Sequence, residues 1–377
     1  MNAVLEDDIA PAGEAELADA VRAARGPLRI RGGGTRGLLN TIEGEVLSTA
    51  RLRGITLYEP GALTLVARAG TPLAEIEAAL AAEGQRLPFE PMDHRPLLGS
   101  DGEPTIGGVV AANVSGPRRV QVGAARDFLL GVRFVDGTGA VVSNGGRVMK
   151  NVTGYDLVKL MAGSWGTLGI LTEVSFKVLP APAAAATLTL EGLETAEAVR
   201  VMAAALTSPF EVSGAAHDPD DATLLRIEGF EDSVAYRADR LVELLAPSGN
   251  VRVERDAEAV ADRWRAVRDA RKLAGDGEDV WRISVKPSDG VEVARRLPDA
   301  RLLLDWGGGL VWAGVAPGVD LRAALHGVGG HATLVRASQE TRQRFGVFQP
   351  EAAAVAALSR GLRARFDPRG ILNPGLM

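Results

Sequence analysis

The sequence predicts an α+β protein built in two main parts, and three observations predict it. Glycine is clustered in three loops, all before residue 175 and separated by strand-like runs. A proline- and alanine-rich run, PAPAAAA at 180–186, reads as a linker. Beyond it the pattern changes to strand–helix–strand–strand–helix–strand, the order of a ferredoxin-like unit. The expected domains are therefore residues 1–181, a smaller α+β cap at 182–365, and a closing segment at 366–377.

Each element has its own local reason. Residues 13–25 read as an amphipathic helix with Leu17, Val21 and Ala24 on one face. A short strand at 27–30 runs into a tight loop at 32–37, and further strands are expected at 46–49 and 63–69. TPLAEIEAALAAEG reads as a helix with Thr71 as N-cap, Pro72 at the first helical position and Gly84 as its stop. Residues 88–118 are rich in Pro, Gly and Asp and are expected to be mostly loop. FLLGVRFVDGTGAVVSNGG reads as a hairpin about Asp136-Gly137, followed by a short helix at 155–161 and a strand at 168–179. In the cap, LTLEGL, a helix at 195–206, ATLLRIEG, a helix at 231–245 and VRVERD make up the ferredoxin-like unit. A helix near 256–274, strands around 280–286 and 301–316, and a helix at 350–365 follow, with no internal repeat of 20–50 residues apparent.

Composition narrows the function. At 377 residues, with 46% hydrophobic and 24% charged, the chain can bury a large core in the ordinary way. A net charge of −6 gives no footprint for nucleic acid. With no cysteine, disulfides, thiolate-bound zinc, an iron–sulfur cluster within the chain, a catalytic thiol and a cysteinyl–flavin bond are all excluded. MNAVLEDDIAPAGEAE is acidic and lacks the apolar core of a signal peptide, and no apolar run approaches the ~18 residues of a membrane span. The expectation is a cytoplasmic protein that meets a membrane only peripherally, through partners. Asn151-Val152-Thr153 matches the glycosylation pattern and is read as coincidence.

The glycine loops carry the chemistry. Gly32, Gly34 and Gly37 match G-x-G-x-x-G, but the following residues turn strand-like instead of opening a helix, so a Rossmann dinucleotide site is rejected. What remains is a strand followed by bare amides and the Thr35 hydroxyl, a concave anion site that suits a pyrophosphate, with Arg36 adding charge. Taken alone, this segment reads better as a plain glycine turn between strands. The second loop runs from Thr105 through Gly107, Gly108 and Asn113 to Gly116; the third is Gly163-Ser164-Trp165-Gly166-Thr167-Leu168-Gly169-Ile170. Close packing of helix on strand and a hairpin entry are their plainer explanations. Three such loops together point to backbone that approaches an extended ligand.

RGGGTRG, TIGGVVAANVSGPRR and KNVTGYDLVKLMAGSWGTLGILTEVSFKVLP together resemble the FAD-binding domain of the vanillyl-alcohol oxidase (PCMH-type) flavoproteins, over roughly residues 1–180. The resemblance implies a PCMH-type FAD-binding domain with an α+β cap. By matching position it implies FAD contacts from Arg31, Gly32, Gly33, Gly34, Thr35, Arg36, Pro91, Thr105, Gly107, Gly108, Asn113, Gly116, Gly166, Gly169 and Ile170. The closing FDPRGILNPGLM resembles the family's terminal segment, which implies that Asn373 and Pro374 return to the FAD domain. KNVTGYDLVKLMAGSWGTLGIL, the short cap and ILNPG most resemble the FAD-binding E subunits of bacterial glycolate oxidases; Trp165 stands where the sister D subunits carry Glu. That resemblance implies a small 2-hydroxy acid substrate, a sister FAD subunit and an iron–sulfur subunit. A stand-alone FAD-linked D-2-hydroxy-acid dehydrogenase and a non-catalytic flavin-fold scaffold are the alternatives.

An oxidation of this kind needs a base, a cation for the substrate carboxylate and the flavin. Of the four histidines, His326 and His331 lie five apart in HGVGGH, which is not a helical metal pair, and read as loop or surface residues. No metal site is expected. His94, in PFEPMDHRP, is the candidate base because the matching loop of the family lies near the flavin, and Arg95 and Arg118 are the candidate carboxylate contacts. The first loop contains no histidine, so the FAD is expected to be non-covalent.

Overall fold

A computed structural model describes residues 8–37, 42–147, 154–275 and 277–376. The tripeptide Asn151-Val152-Thr153 lies outside the described residues. The first part begins with the helix Glu14–Ala23 and a parallel pair, β1 (Leu28–Arg31) and β2 (Glu45–Ser48). Then come β3 (Ile55–Glu59), β4 (Thr64–Arg68), β5 (Gln85–Arg86), β6 (Leu129–Val135), β7 (Val141–Gly145), β8 (Ile170–Lys177) and β9 (Leu179–Pro180). An antiparallel sheet runs β3-β4-β8-β6-β7, and β5 pairs with β9. β8 is flanked by strands on both sides and is buried at most positions, as a central strand must be. The β6–β7 turn is built as expected: Asp136 Oδ1 accepts from the amides of Thr138 (2.8 Å) and Ala140 (2.9 Å).

Two local expectations are corrected. Thr71 is not the N-cap of the helix Leu73–Ala82; Pro72 holds that position. The Thr71 hydroxyl turns back, accepting from Gly54 N (2.9 Å) and donating to Arg68 O (2.7 Å), because the chain is still tied to β4 there. The stretch around Gly107 and Gly108 is not loop but the helix Ile106–Ala111, capped by Thr105. Gly107 packs so closely on Ala69 that a Cβ would sit 2.6 Å from the Ala69 Cβ, so close packing explains that glycine in full.

The second part is one sheet of eight strands, β10 (Ala184–Glu191), β11 (Gly214–His217), β12 (Ala222–Gly229), β13 (Val251–Glu254), β14 (Asp279–Ser284), β15 (Arg301–Asp305), β16 (Leu310–Val315) and β17 (His331–Arg336). Their order is β13-β10-β12-β11-β15-β16-β14-β17. The first four strands, with the helices Thr195–Thr207 and Glu231–Leu245, form the ferredoxin-like unit read from the sequence. The last four repeat the same order with Gly290–Arg296 and Leu321–Ala324 as crossovers, and the units join where His217 pairs with Leu304. The sequence suggested one unit because the second pair of crossover helices has only 7 and 4 residues, against 13 and 15 in the first. Four residues are too few to show a helical period.

Strand alternation sorts this sheet into two faces. Leu225, Ile227, Trp281, Ile283, Leu304, Val311, Ala313 and Leu334 pack into one core with the helices. Their neighbours Arg226, Glu228, Arg282, Ser284, Asp305, Trp312 and Thr333 therefore project from the other face, toward the first part. There Met92 and Leu97 pack against Leu303, Trp306, Leu310 and Trp312.

Beside that apolar contact lies a buried ion cluster. Arg226 binds Glu90 through both nitrogens (2.9 and 3.0 Å), Arg118 binds Glu228 in the same way (2.7 and 2.8 Å), and Arg86 reaches Glu228 at 2.8 Å. Burial alone would raise the Glu228 carboxyl, but Arg226, Arg118 and Arg86 together hold it far below the usual carboxylate range. Three arginines and two glutamates thus tie the loop ahead of the second glycine segment to β12.

Candidate functional site

Two neighbouring cavities lie along the glycine loops. The smaller, about 250 Å³, is lined by Arg31, Gly32, Gly33, Gly34, Thr35, Arg36, Thr105, Gly107, Gly108, Gly166, Gly169, Ile170 and Asn373. The larger, about 1220 Å³, lies between the first part and the polar face of the eight-stranded sheet. Arg36 and Trp165 line both, so they stand where the two cavities adjoin. Asn113, Gly116 and His94 line the larger one. Pro91 lines neither, because it sits in the buried turn between Glu90 and Met92.

β1 delivers the first loop, and distant segments hold it. Asn373 Oδ1 accepts from Ile30 N (2.8 Å), while its Nδ2 donates to Trp165 O (2.8 Å). One amide side chain therefore fixes the first loop to the third. Gly33 is pressed against the 101–104 segment behind the loop, where a Cβ would stand 1.5 Å from Glu103 O. The result is a groove walled by main chain, which suits an extended ligand with a pyrophosphate.

With Arg29 and Arg31 beside it, Arg36 supplies positive charge to this groove. Its Nη1 donates to Gly108 O, its guanidinium lies 6.0 Å from the centre of the Trp165 ring, and its buried Nε has no partner among the described residues. Burial pushes its guanidinium down to about 10. A buried cation with an idle donor calls for an anion. Arg36→Met is expected to weaken FAD binding by roughly 10- to 100-fold, the worth of one hydrogen bond to a charged group. Quenching of flavin fluorescence on titration reads this directly.

His94 lies on the wall of the larger cavity, half-buried. Burial first, then the charges of Arg36 and Arg282, pushes its imidazole down to about 3, so at neutral pH it is uncharged. The expected carboxylate contacts are corrected. Arg95 is exposed and clasps Asp93 through two nitrogens (2.8 to 3.0 Å), away from the cavity. Arg118 is consumed by Glu228 in the ion cluster. Of the two histidines in HGVGGH, His326 is exposed on the turn, while His331 opens β17 at the cavity wall.

Two cavity cations with no side-chain hydrogen bond or ion pair among the described residues are ones the sequence reading passed over, Arg119 and Arg282, both against the Trp306 ring (4.5 and 5.1 Å from its centre). Asp305 is buried beside them and accepts from Trp306 N (2.7 Å). The signal was present: in VWRIS, a lone arginine alternates with buried apolar residues in mid-strand. No spacing motif accompanied it.

Residues 8–145 match the family model described as an FAD binding domain. Glycolate oxidase subunit GlcE of Escherichia coli (strain K12) is 39% identical over 357 residues, which cover 93% of this chain and 92% of that protein. Glycolate oxidase subunit GlcD of Bacillus subtilis (strain 168) is 30% identical over 240 residues, 63% of this chain and 49% of that protein. Among solved structures, alkyldihydroxyacetonephosphate synthase aligns with a TM-score of 0.68 at 17% identity, over 98% of this chain and 76% of its own. Physcomitrella patens BBE-like 1 gives 0.66 at 17%, over 97% and 89%. At those identities the two structures speak to the fold, a PCMH-type flavoprotein fold. Sequence, groove and fold agree: the chain belongs to the GlcE family of FAD-dependent oxidoreductase subunits.

Proposed function

We propose that this chain is the FAD-carrying subunit of an oxidase complex acting on glycolate or a similar small 2-hydroxy acid. The observation that carries this reading is adjacency: a main-chain groove that includes Arg36 lies beside a cavity lined by further cations, and Arg36 and Trp165 line both. The groove residues fit FAD, with glycine main chain at Gly32, Gly33, Gly34 and Gly108 along the lining and the Arg36 Nε without a partner among the described residues. When bound, FAD supplies a two-electron acceptor. Arg31 to Arg36, Thr105, Gly107, Gly108, Gly166, Gly169 and Ile170 would surround its phosphates and chain, and Asn113, Gly116 and Trp165 the adjoining ring. His94, uncharged, would offer a hydrogen bond and not a base. Asn373 acts by holding the first and third loops at a fixed spacing. Carboxylate binding by Arg95 or Arg118 is not part of this reading.

Electrons leaving this chain need a carrier elsewhere, since it has no cysteine for a cluster. A sister flavoprotein subunit and an iron–sulfur subunit would fill that role, with peripheral contact to a membrane through them. Among the described residues no helix is long and apolar enough to cross a membrane. The experiment is to express the chain, record its visible spectrum, denature it and assay the released cofactor. About one equivalent of FAD freed by denaturation alone supports the reading and its non-covalent attachment; a folded, colourless chain that stays colourless with added FAD sinks it.

A further inference from the structure

We propose that this chain holds a 2-hydroxy acid itself: Arg119 and Arg282 bind the substrate carboxylate, and Asp305 accepts the hydrogen bond of its hydroxyl. The inference rests on the proposed function and deepens it, because that reading leaves open which subunit of the complex receives the substrate.

The argument begins with the two cations. Arg119 comes from the first part of the chain, just after the second glycine segment, and Arg282 from the middle of β14. They meet at one indole, that of Trp306. Trp306 is itself pinned, donating Nε1–H to Gly116 O (3.0 Å) and its amide to Asp305 Oδ1 (2.7 Å). Among the described residues neither arginine makes a side-chain hydrogen bond or an ion pair, although the chain pairs most of its other cavity-side and buried arginines. Burial lowers both guanidinium groups; the charge of Arg126 adds to this at Arg119, and that of Arg119 adds to it at Arg282, which is pushed down to about 10. Asp127 and Asp305 offset part of this lowering, yet among the described residues neither forms an ion pair with Arg119 or Arg282, so a ligand carboxylate between the two arginines would meet unused, directed donors.

Asp305 adds the selectivity. It is 2% exposed, lines the cavity and has one oxygen committed to the Trp306 amide. Burial pushes its carboxyl up to about 7; the Trp306 amide opposes this, Glu90 adds to it, and Arg226 and Arg282 oppose it. Asp305 makes no ion pair with Arg282 among the described residues, so its second oxygen remains for a ligand. A hydroxyl one carbon from the bound carboxylate donates to that oxygen. A carboxylate without the hydroxyl leaves Asp305 buried without this partner, and such omissions are discriminated strongly. Ser284, Thr333 and His331, on the same sheet face, complete a polar lining on that side.

The test uses the full chain loaded with FAD and kept reduced by dithionite without oxygen, so that glycolate binds and is not consumed. Calorimetric titration with glycolate and with acetate gives two affinities, and released FAD is assayed on the same samples. The expected result is glycolate bound about tenfold or more tighter than acetate. Arg119→Met and Arg282→Met should each weaken glycolate by about 10- to 100-fold with FAD content unchanged, and Arg282→Lys should recover part of the loss. In Asp305→Asn the amide oxygen keeps the Trp306 bond and an NH₂ donor replaces the free acceptor, so glycolate should fall to the acetate level while acetate is little changed. Circular dichroism confirms that each variant is folded. Glycolate binding that is absent from the FAD-loaded parent, or undiminished in both arginine variants, overturns this site and leaves the proposed function standing. A parent chain that takes up no FAD overturns the proposed function instead; glycolate titration of that chain then decides the site on its own.

Discussion

Glu228→Ala is expected to lower the stability of the protein by about 3–5 kcal/mol, the usual result of removing one partner from a buried charge pair. Glu228 accepts from Arg86 and Arg118 and lies 3.5 Å from Arg226; without it three buried guanidinium groups share the single carboxylate of Glu90. The midpoint of urea unfolding should fall, and because the cluster joins the first part to β12, the transition should broaden or split as the two parts lose their coupling. Acid gives a second readout. The Glu228 carboxyl is held below its unfolded value, so its contribution is complete above the ordinary carboxylate pKa of about 4.3 and drains away as pH falls through the acid range below it. The parent should therefore lose stability steeply below about pH 4, and Glu228→Ala should lose less over the same interval. Equal stability of the two proteins at pH 7 would show that the cluster contributes nothing net.

Gly33→Ala is expected to abolish FAD retention while leaving the chain folded. The added methyl would stand 1.5 Å from Glu103 O and 2.6 Å from its carbon, so the first loop and the 101–104 segment have to separate by more than an ångström. The first loop lines the groove that would hold the pyrophosphate, and the 101–104 segment backs it. A loss of at least about a hundredfold in FAD affinity, about 2.7 kcal/mol, is the expected size. Gly26→Ala is the control, since a Cβ there meets nothing within 4 Å and the backbone needs no positive φ. Retention of one FAD per chain in Gly33→Ala would show that the loop is not part of the cofactor site.

The elements legible in the sequence are those with local causes. The β6–β7 hairpin is written in Asp136 and the glycines after it, and the helix Leu73–Ala82 in the spacing of Leu73, Ile76 and Leu80. The groove was legible because its glycines sit in three compact segments. What could not be read was pairing at a distance. Arg118 and Glu228 are 110 positions apart, and nothing beside either names the other, so Arg118 passed for a free carboxylate contact. Arg119, its neighbour, is the one that reaches the cavity, and adjacency in sequence does not decide which of two arginines faces which way. Arg282 and Asp305 became visible only once strand order placed them on a common face. The second ferredoxin-like unit stayed hidden for a related reason: its topology is repeated, while its helices are too short to repeat a pattern.

The amide of Asn373 bridges Ile30 and Trp165, so the groove depends on a residue 343 positions beyond its first strand. The first and third loops are therefore tied together only when the far end of the chain has docked. A chain clipped before Asn373 is expected to keep its five-stranded sheet and to retain less FAD than the parent, so the visible spectrum of such a truncation reads the worth of this one bridge.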